Sequence, residues 1–291
     1  MELNVPKKLE SIYDVDTWID RCADINTTNL LPKEKILINM SKLRWVSPVG
    51  IGALAATLQT LCTQYKIEVL IPDHKSADKV IGYMERMDFF KICPQEVKRA
   101  FDRSCDMSIY YDRKRTNQQY TLFELRKVSS YSDVGPLQNS VRDIMRGKIP
   151  RNRVSDIASI VGELANNSIE HGGTPCFPCI QYYPSQKKLE IAICDYGIGI
   201  VNSLKDVVKS KSSHDLVEKA IFTNASGVVN EDRGRGLIEV QERTFGWSSI
   251  SEFYVRTHDT AYQVSPKKIK ELVTNKYYMG TYYYIVINMS E

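Results

Sequence analysis

The first hundred residues alternate between short apolar runs and longer apolar segments. Residues 35–40 and 67–71 are runs rich in Ile, Leu and Val, which is typical of buried strands. Each run precedes a segment with the length and apolar content of a helix, residues 49–65 and 77–92. The order strand, helix, strand, helix predicts a small α/β layer at the start of the chain.

The second half of the chain carries a different pattern, in which helices accompany a series of strands. From Val154 the apolar positions recur about every 3.6 residues, and Gly172-Gly173 ends this helix. Further helices are predicted at 133–146, at 213–222 and from Gly234 to about Gly246. Strands are predicted at 120–128, 179–183, 188–194, 249–256 and 281–288. This order favours an α+β sandwich with helices on one face of a mixed, mostly antiparallel sheet.

A stretch dominated by charged residues, 98–119, separates the two patterns. A chain of 291 residues is long enough for about two domains. We therefore predict a first α/β domain at 1–105, a linker at 106–119 and a second domain at 120–291.

The composition narrows the class of protein. Hydrophobic residues make up 43% and charged residues 25%, which is enough for packed cores and argues against disorder. A net charge of +4 without a dense Lys/Arg tract does not favour nucleic acid as a partner. No apolar run approaches ~20 residues, so no membrane span is expected. The first eight residues lack the apolar core of a signal peptide and the seven cysteines are irregularly spaced, so we expect a reduced, cytoplasmic protein.

Cys176 and Cys179 form a single C-x-x-C pair. A zinc site needs a second pair of ligands at a suitable spacing, and the sequence offers none. We expect two small buried side chains at the start of a strand instead.

Glu163 and Asn167 are four residues apart on a predicted helix, so they lie on one face, about one turn apart. A carboxylate there can deprotonate a water or hydroxyl that attacks a phosphate. An amide oxygen one turn away suits Mg²⁺, which binds few protein oxygens together with phosphates and water. The alternative for this pair alone is an ordinary solvated helix face.

Two glycine-containing segments follow. Asp195 ends a strand and precedes Gly197 and Gly199, so its carboxylate can accept a hydrogen bond from an adenine amino group while the glycines admit the base closely. Gly234 and Gly236 begin a helix, whose free N–H groups and dipole attract phosphate. Taken singly, the first segment is also compatible with an Asp-Gly turn and the second with a tight loop.

In this order the segments resemble the motifs of the GHKL ATPase superfamily, which includes gyrases and histidine kinases and has the Bergerat fold. The matches cover about 120–289 and consist of an N box, Glu163-x-x-x-Asn167; a G1 box, Asp195-x-Gly197-x-Gly199; a G2 box, Gly234-Arg235-Gly236-Leu237; and a closing strand, 280–287. The N box continues to His171-Gly172, which resembles the anti-sigma-factor serine kinases most. We expect His171 to be a helix-end residue near the lid or the sheet.

The resemblance implies a role for each residue of the boxes. Glu163 would be the general base, Asn167 the Mg²⁺ ligand and Asp195 the adenine-binding residue. The other positions would surround the base and the phosphates of ATP: Gly197, Gly199, Gly234, Arg235, Gly236 and Leu237. Residues 201–232 would form an ATP lid. Its lysines, Lys205, Lys209 and Lys211, can reach phosphate, although solvated lysines are favoured.

Residues 39–54 resemble the strand, loop and helix of STAS domains, the anti-sigma-factor antagonist fold. Val49 occupies the position at which those antagonists carry a phosphorylated serine. Regulation by phosphorylation at this position is therefore not expected. Ser47 is the alternative acceptor, but a serine before Pro48 also fits a helix cap.

Two functions remain open from the sequence. The first is slow ATP hydrolysis or γ-phosphate transfer to Ser or Thr within a protein-partner switch, with ATP and Mg²⁺ as cofactors. The alternative is a catalytically weak, nucleotide-gated interaction module, in which ATP orders the lid and changes the affinity for a partner. Both predict a protein partner, and the sequence leaves a homodimer open without indicating a dimer element.

Overall fold

The computed structural model describes residues 1–27, 31, 33–72, 74–112, 122–223, 225, 236–248 and 250–289. These residues form a mixed α/β fold with one large antiparallel sheet and two small parallel ones. None of the helices in these ranges combines the length and the apolarity that a membrane crossing would need.

The N-terminal region is built around short parallel strands. The strands are β1 (Glu2–Asn4), β2 (Lys8–Leu9), β3 (Lys35–Asn39), β4 (Trp45–Val46) and β5 (Lys66–Leu70), paired as β1-β3-β5 and β2-β4. The helices are α1 (Ile12–Ala23), α2 (Pro48–Gln64), α3 (His74–Arg86), α4 (Phe89–Ile92), α5 (Gln95–Ser104) and α6 (Ser108–Tyr111). The predicted strand, helix, strand order is confirmed by β3, α2 and β5.

Two N-terminal predictions need correction. The helix predicted at 77–92 is divided, because Asp88 adopts left-handed backbone angles (φ 59°) between α3 and α4. Part of the charged junction at 98–119 is helical, since α5 runs to Ser104. The Ser104 hydroxyl donates a 2.7 Å hydrogen bond to the Val69 carbonyl and so attaches the end of α5 to β5. Within the predicted linker 106–119, α6 is helical and 113–119 lie outside the described residues.

The start of α2 is buried, which limits the access of a modifying enzyme to Ser47 and Val49 in the segment that resembles STAS domains. Ser47 occupies the N-cap position, but its hydroxyl donates to the Leu9 carbonyl at 3.2 Å rather than capping α2. Val49 is fully buried. Neither side chain is therefore exposed for modification in this conformation.

The C-terminal region contains the large sheet and its helices. The helices are α7 (Tyr131–Met145), α8 (Arg151–Asn167), α9 (Gly199–Leu204), α10 (Ser213–Phe222) and α11 (Gly236–Phe245). The strands are β6 (Leu122–Phe123), β7 (Cys176–Tyr183), β8 (Lys188–Asp195), β9 (Glu252–Thr257), β10 (Thr260–Ser265), β11 (Lys268–Thr274) and β12 (Thr281–Asn288). They are ordered β11-β10-β9-β12-β8-β7-β6, and every neighbouring pair is antiparallel.

Most C-terminal elements agree with the sequence pattern, and three do not. Helix α9 and the β10–β11 hairpin were not predicted. The strand predicted at 120–128 is reduced to β6 and a single bridge from Val128 to Cys176, with Tyr120 and Thr121 outside the described residues.

The end of α8 is shaped by a short π-helical turn. Pro150 precedes the helix, as predicted, and Ser168–Gly172 continue it as the π turn. Gly173 then adopts left-handed angles (φ 70°), which terminate the helix. A π turn commonly marks a functional segment, and here it directly follows Asn167.

Both faces of the large sheet are buried, although the sequence predicted helices on one face only. Alternate residues of β8 point to opposite sides, so Ile191 and Ile193 join the core that contains α7 and α8. Ala192 and Cys194 join a second core with the N-terminal region. Helix α2 lies directly on that face, because a Cβ on Gly52 would be 2.9 Å from the Cys194 sulfur.

A buried ion pair attaches α1 to the sheet. Arg256 of β9 has no exposed surface, and its Nε donates to Asp16 of α1 at 3.2 Å. Its Nη1 donates to the carbonyls of His258 and Tyr278, and its Nη2 donates to the carbonyl of Lys276. Four of the five guanidinium N–H groups thus have partners within the protein, in keeping with the need of a buried charge for pairing and hydrogen bonds.

Cys176 and Cys179 lie at the start of β7, as predicted, and both are fully buried. Because they are three residues apart on a strand, they point to opposite faces of the sheet and join different cores. Burial raises the pKa of both thiols above the ordinary value. Within the described ranges, no three His, Cys, Asp or Glu side chains are grouped so as to hold a metal ion.

Candidate functional site

A cleft of about 410 Å³ lies between α8, α9, α11 and the ends of β8 and β12. Its size falls within the range of about 300–1,000 Å³ typical of small-molecule sites. Six of the residues predicted from the sequence line it: Glu163, Asn167, Asp195, Gly199, Gly236 and Leu237. Gly197 lies directly behind the floor, and Gly234 and Arg235 lie outside the described residues.

The Asp195 carboxylate forms the floor of the cleft. Its Oδ1 accepts hydrogen bonds of 3.0 Å from the backbone N–H groups of Gly197 and Thr281. Its Oδ2 accepts a 2.8 Å hydrogen bond from the Ser168 hydroxyl. A carboxylate offers about four acceptor positions, so three described donors leave one for a ligand.

The surroundings of Asp195 also change its acidity. The side chain is 1% exposed, and burial raises its pKa from 3.8 to about 6, although the two N–H groups and the hydroxyl oppose the shift. The carboxylate is therefore ionised at neutral pH and titrates just below it. A buried carboxylate that is held by neutral donors and borders a cleft is typical of a functional site.

Glycine is required at two positions of the floor. A Cβ on Gly197 would lie 2.2 Å from the Gly172 carbonyl oxygen, so the loop after β8 can touch the π turn only without a side chain there. Gly199 has φ +78°, and a Cβ would lie 2.9 Å from the Thr257 hydroxyl. That hydroxyl accepts from the Ile200 N–H at 3.0 Å and fixes the start of α9.

Glu163, Asn167 and the start of α11 form the opposite wall. A Cβ on Gly236 would lie 2.7 Å from Oε2 of Glu163 and 3.7 Å from Oδ1 of Asn167, so α11 begins against this face of α8. The predicted pair therefore faces the cleft rather than bulk solvent. A glycine at this position leaves room between α11 and the carboxylate.

Burial raises the pKa of Glu163, and the negative charges of Glu239 and Glu170 add to the effect while Arg243 opposes it. A carboxylate with a raised pKa is a better proton acceptor, as a general base requires. The side chain is half-buried and points into the cleft.

Asn167 carries a buried Nδ2 that has no hydrogen-bond partner among the described residues. Leaving such a group unsatisfied costs about 1–3 kcal/mol, so the side chain suits a bound ligand. Mg²⁺ commonly uses one or two protein oxygens and takes the rest from phosphate and water. The Nδ2 donor suits a phosphate oxygen, and Oδ1 of the same amide, which faces Gly236, is the atom that would hold a metal arriving with a nucleotide.

The sequence did not single out several residues of the cleft. Ser168 and Thr281 hold the Asp195 carboxylate, and Ile200, Ser203 and Leu204 of α9 form the neighbouring wall. Two sequence features could have identified them: Ser168 directly follows Asn167, and Thr281 directly follows Gly280. His171 lines the cleft at the end of the α8 segment, as expected for a helix-end residue.

The predicted lid is described in part. Within 201–232, the structure describes 201–223 and 225, which contain α10 as predicted. Lys205, Lys209 and Lys211 are exposed and do not belong to the described lining of the cleft.

A scan against protein-family models and a search of the curated proteins both gave no match to this chain. The GHKL and STAS resemblances therefore stay predictions from the sequence motifs. The geometry of the cleft carries the functional argument.

Proposed function

We propose that the cleft binds ATP with Mg²⁺ and that the C-terminal region is a Bergerat-fold domain of the GHKL superfamily, joined to a STAS-like N-terminal module. The observation that carries the proposal is the buried Asp195 carboxylate, which keeps an acceptor position at the floor of a cleft bordered by Glu163 and Asn167. An amino group of adenine is a donor that matches this acceptor.

In this proposal each wall of the cleft has one task. Asp195 and the adjoining backbone at Gly197 bind the base, and the beginning of α11 at Gly236 faces the phosphates. Asn167 would hold Mg²⁺, which neutralises phosphate charge when bound. Glu163 accepts a proton from the attacking water or hydroxyl, a task favoured by its raised pKa.

We propose slow ATP hydrolysis or γ-phosphate transfer as part of a switch that acts on a protein partner. Val49, at the position of the acceptor serine in the resembling antagonists, is buried and has no hydroxyl. A phosphoryl acceptor would therefore lie outside this segment. The same proposal places the protein in the cytoplasm and includes a protein partner.

ATP binding is tested by calorimetry on Asp195→Asn, which keeps the shape of the side chain and removes its charge. We expect its affinity for Mg·ATP to fall at least about tenfold, since the carboxylate is the acceptor for the base. Asp143→Asn is the matched control, because Asp143 is exposed on α7 and pairs only with Arg146 in the described ion pairs. Equal affinities of Asp195→Asn and wild type would disprove the assignment of the base.

Turnover is tested separately with Glu163→Ala. We expect phosphate release from Mg·ATP to fall about 100-fold or more while ATP affinity changes little, because a general base contributes about 10²–10⁴-fold. Asp143→Ala on α7 is the control, since Asp143 is exposed and its described ion pair is with Arg146, outside the cleft lining. Unchanged phosphate release in Glu163→Ala would remove the base from the mechanism.

The nucleotide-gated module is the second candidate, and one contact favours it. Arg256 binds Asp16 of α1, and the next residue, Thr257, holds the start of α9 at the cleft. A nucleotide that shifts α9 can therefore change the attachment of the N-terminal region. Hydrogen exchange in α1 should slow when the nonhydrolysable analogue AMP-PNP binds; unchanged exchange in α1 with protection confined to the cleft would exclude this candidate.

A further inference from the structure

A second cleft of about 420 Å³ lies at the other end of the large sheet. It is formed by α3 and β4 of the N-terminal region together with β6 and the end of β7. Along β7, Cys176 pairs with Asp195 and Tyr182 pairs with Leu189. Six residues of strand at about 3.3 Å each separate the two positions, so the second cleft lies roughly 20 Å from the Asp195 floor.

The interior of the second cleft is apolar and aromatic. Trp45 is 51% exposed, which is unusual for so large an apolar side chain, and it borders the cleft beside Tyr182 and Leu122. The Tyr83 hydroxyl of α3 donates a 2.5 Å hydrogen bond to Gln181 Oε1 of β7. The two walls are thereby fixed to one another, and the cleft is already formed without a ligand.

The rim of the second cleft is positively charged. Arg44, Lys79 and Arg86 line it, and no carboxylate occurs among its described lining residues. The Arg86 guanidinium lies 5.8 Å from the centre of the Tyr83 ring, at the edge of the apolar interior. Arg44 also lines an adjoining depression, whose other charged side chains are the cations Lys7, Arg21 and Lys42.

We propose that the second cleft binds a small amphipathic anion, composed of a flat aromatic group and a carboxylate or phosphate. The aromatic group enters between Trp45 and Tyr182, and the anionic group meets Arg86 at the rim. Lys79 and Arg44, whose Nη1 donates to the Ser41 and Leu43 carbonyls, add positive charge there. Small-molecule sites are concave, largely apolar and frequent at junctions between structural units, as here. Arginine recognises both anionic groups through its planar fork, and the surrounding cations attract the ligand.

The ligand would join the N-terminal region to the sheet. Arg44, Trp45 and Tyr83 belong to the first region, whereas Leu122 and Tyr182 belong to the second. A bound ligand contacts both walls and so stabilises their association by mass action. This role is independent of ATP binding in the first cleft.

The full-length protein is titrated with anilinonaphthalene sulfonate (ANS), an aromatic anion that accepts excitation energy from tryptophan. We expect energy transfer from tryptophan that falls in Trp45→Phe to the level given by Trp18 and Trp247, while calorimetry still detects binding. Removing the three rim cations together (Arg44→Gln, Lys79→Gln, Arg86→Gln) should weaken ANS at least about tenfold. Removing three exposed cations of the distant hairpin (Lys267→Gln, Lys268→Gln, Lys270→Gln) should change it less than about twofold.

Competition identifies the anionic group and tests the separation of the two clefts. Naphthoate or naphthyl phosphate should displace ANS, and the more effective of the two identifies the preferred group. Naphthylmethylamine, a cation of similar shape, should not. Saturating ATP should leave the Trp45 signal unchanged even if ATP binds at Asp195, so failure of one proposal does not decide the other.

Several results would overturn the proposal. One is wild-type affinity in the variant without rim cations, and another is equal displacement by the amine and the two anions. Displacement of the Trp45-dependent signal by ATP would assign the probe to the nucleotide site. Binding of an acidic, phenylalanine-containing peptide without binding of the small anions would identify a groove for a protein segment instead.

Discussion

Asp195 and Asp16 are two buried carboxylates with different surroundings. Each is 1% exposed. Asp16 accepts from the Arg256 guanidinium and from Asn275, and lies where α1 meets the sheet. Asp195 accepts only from neutral donors among the described residues, and lies at the floor of an open cleft.

The difference separates attachment from binding. The charge of Asp16 is balanced by Arg256 inside the protein, so this carboxylate does not need a ligand. The pair connects α1 of the N-terminal region to the large sheet. Burial raises the pKa of Asp16, and Arg256 opposes that shift. Burial is also the largest cause of the raised pKa of Asp195, but no described cation opposes it there, and one acceptor position remains for a ligand. A carboxylate kept in this costlier state is what a binding site requires.

The largest effect is expected when the Asp16 pair is broken. Arg256→Met leaves a buried, unpaired carboxylate and should lower the free energy of unfolding by about 3–5 kcal/mol, measured in urea. Arg146→Met is the control at an exposed pair with Asp143, where the loss should stay below about 1 kcal/mol. The double variant Asp16→Asn with Arg256→Met should recover part of the loss. If Arg256→Met lowers the free energy of unfolding no more than the control does, the buried pair does not stabilise the attachment of α1 to the sheet.

The pH dependence of stability should show that the ionised form of Asp195 is destabilised in the folded protein. Its pKa is about 6 in the folded protein against 3.8 ordinarily. The contribution of the protonated carboxyl to the free energy of unfolding is therefore complete below about pH 4 and is lost as the pH rises through 6. The total is about 3 kcal/mol. Asp195→Asn does not titrate, so its stability relative to wild type should rise by about that amount between pH 4 and pH 7.5. Parallel urea-unfolding profiles for the two proteins would contradict the assignment.

Gly197 tests whether the floor depends on close backbone contact. Gly197→Ala should cost about 1–3 kcal/mol and weaken ATP binding, because its Cβ would meet the Gly172 carbonyl at 2.2 Å. Gly135→Ala is the control in α7, where, apart from the neighbouring residues and the backbone of the helix itself, no atom of the described residues lies within 4 Å of the new Cβ. A helix interior favours Ala over Gly, but the following Pro136 disfavours helical angles for a residue with a Cβ, so the control should change stability by less than about 1 kcal/mol. Thermal melts of both variants measure the contrast.

The smallest effect is expected at the C-x-x-C pair. Cys176 and Cys179 point to opposite faces of β7 and cannot ligate one metal ion together. A zinc chelator should therefore shift Tm by less than about 1 °C, since no metal contributes to folding there. Substoichiometric zinc in the purified protein whose removal lowers Tm would contradict this expectation.

Local patterns predicted much of the fold because their causes are local. Helix α8 follows from its apolar period and its flanking Pro150 and Gly173, and β8 follows from a continuous apolar run. The β10–β11 hairpin was missed because β11 is an edge strand with a single buried residue, Ile269, and its alternation breaks at Glu271, where the pairing with β10 shifts register. The left-handed Asp88 that divides α3 from α4 carries no comparable sequence signal.

The same distinction applies to the two clefts. Spacing alone indicated that Glu163 and Asn167 share a helix face and that Asp195 ends a strand. The role of Thr281 depends on the pairing of β12 with β8, which joins residues 86 positions apart. The second cleft could not be predicted, because its walls come from segments that meet only in the folded protein.

The sequence by itself determined many of the helices and strands, such as β3, α2, α8 and β8, together with the glycines and the chemical groups available for a site, because backbone preference and side-chain chemistry belong to short segments. Tertiary structure alone decided that the N-terminal region covers the second face of the large sheet, that Arg256 meets Asp16, and that Asp195 remains uncompensated. Burial and charge pairing depend on neighbours that are distant in the sequence, so they are set only when the layers pack together.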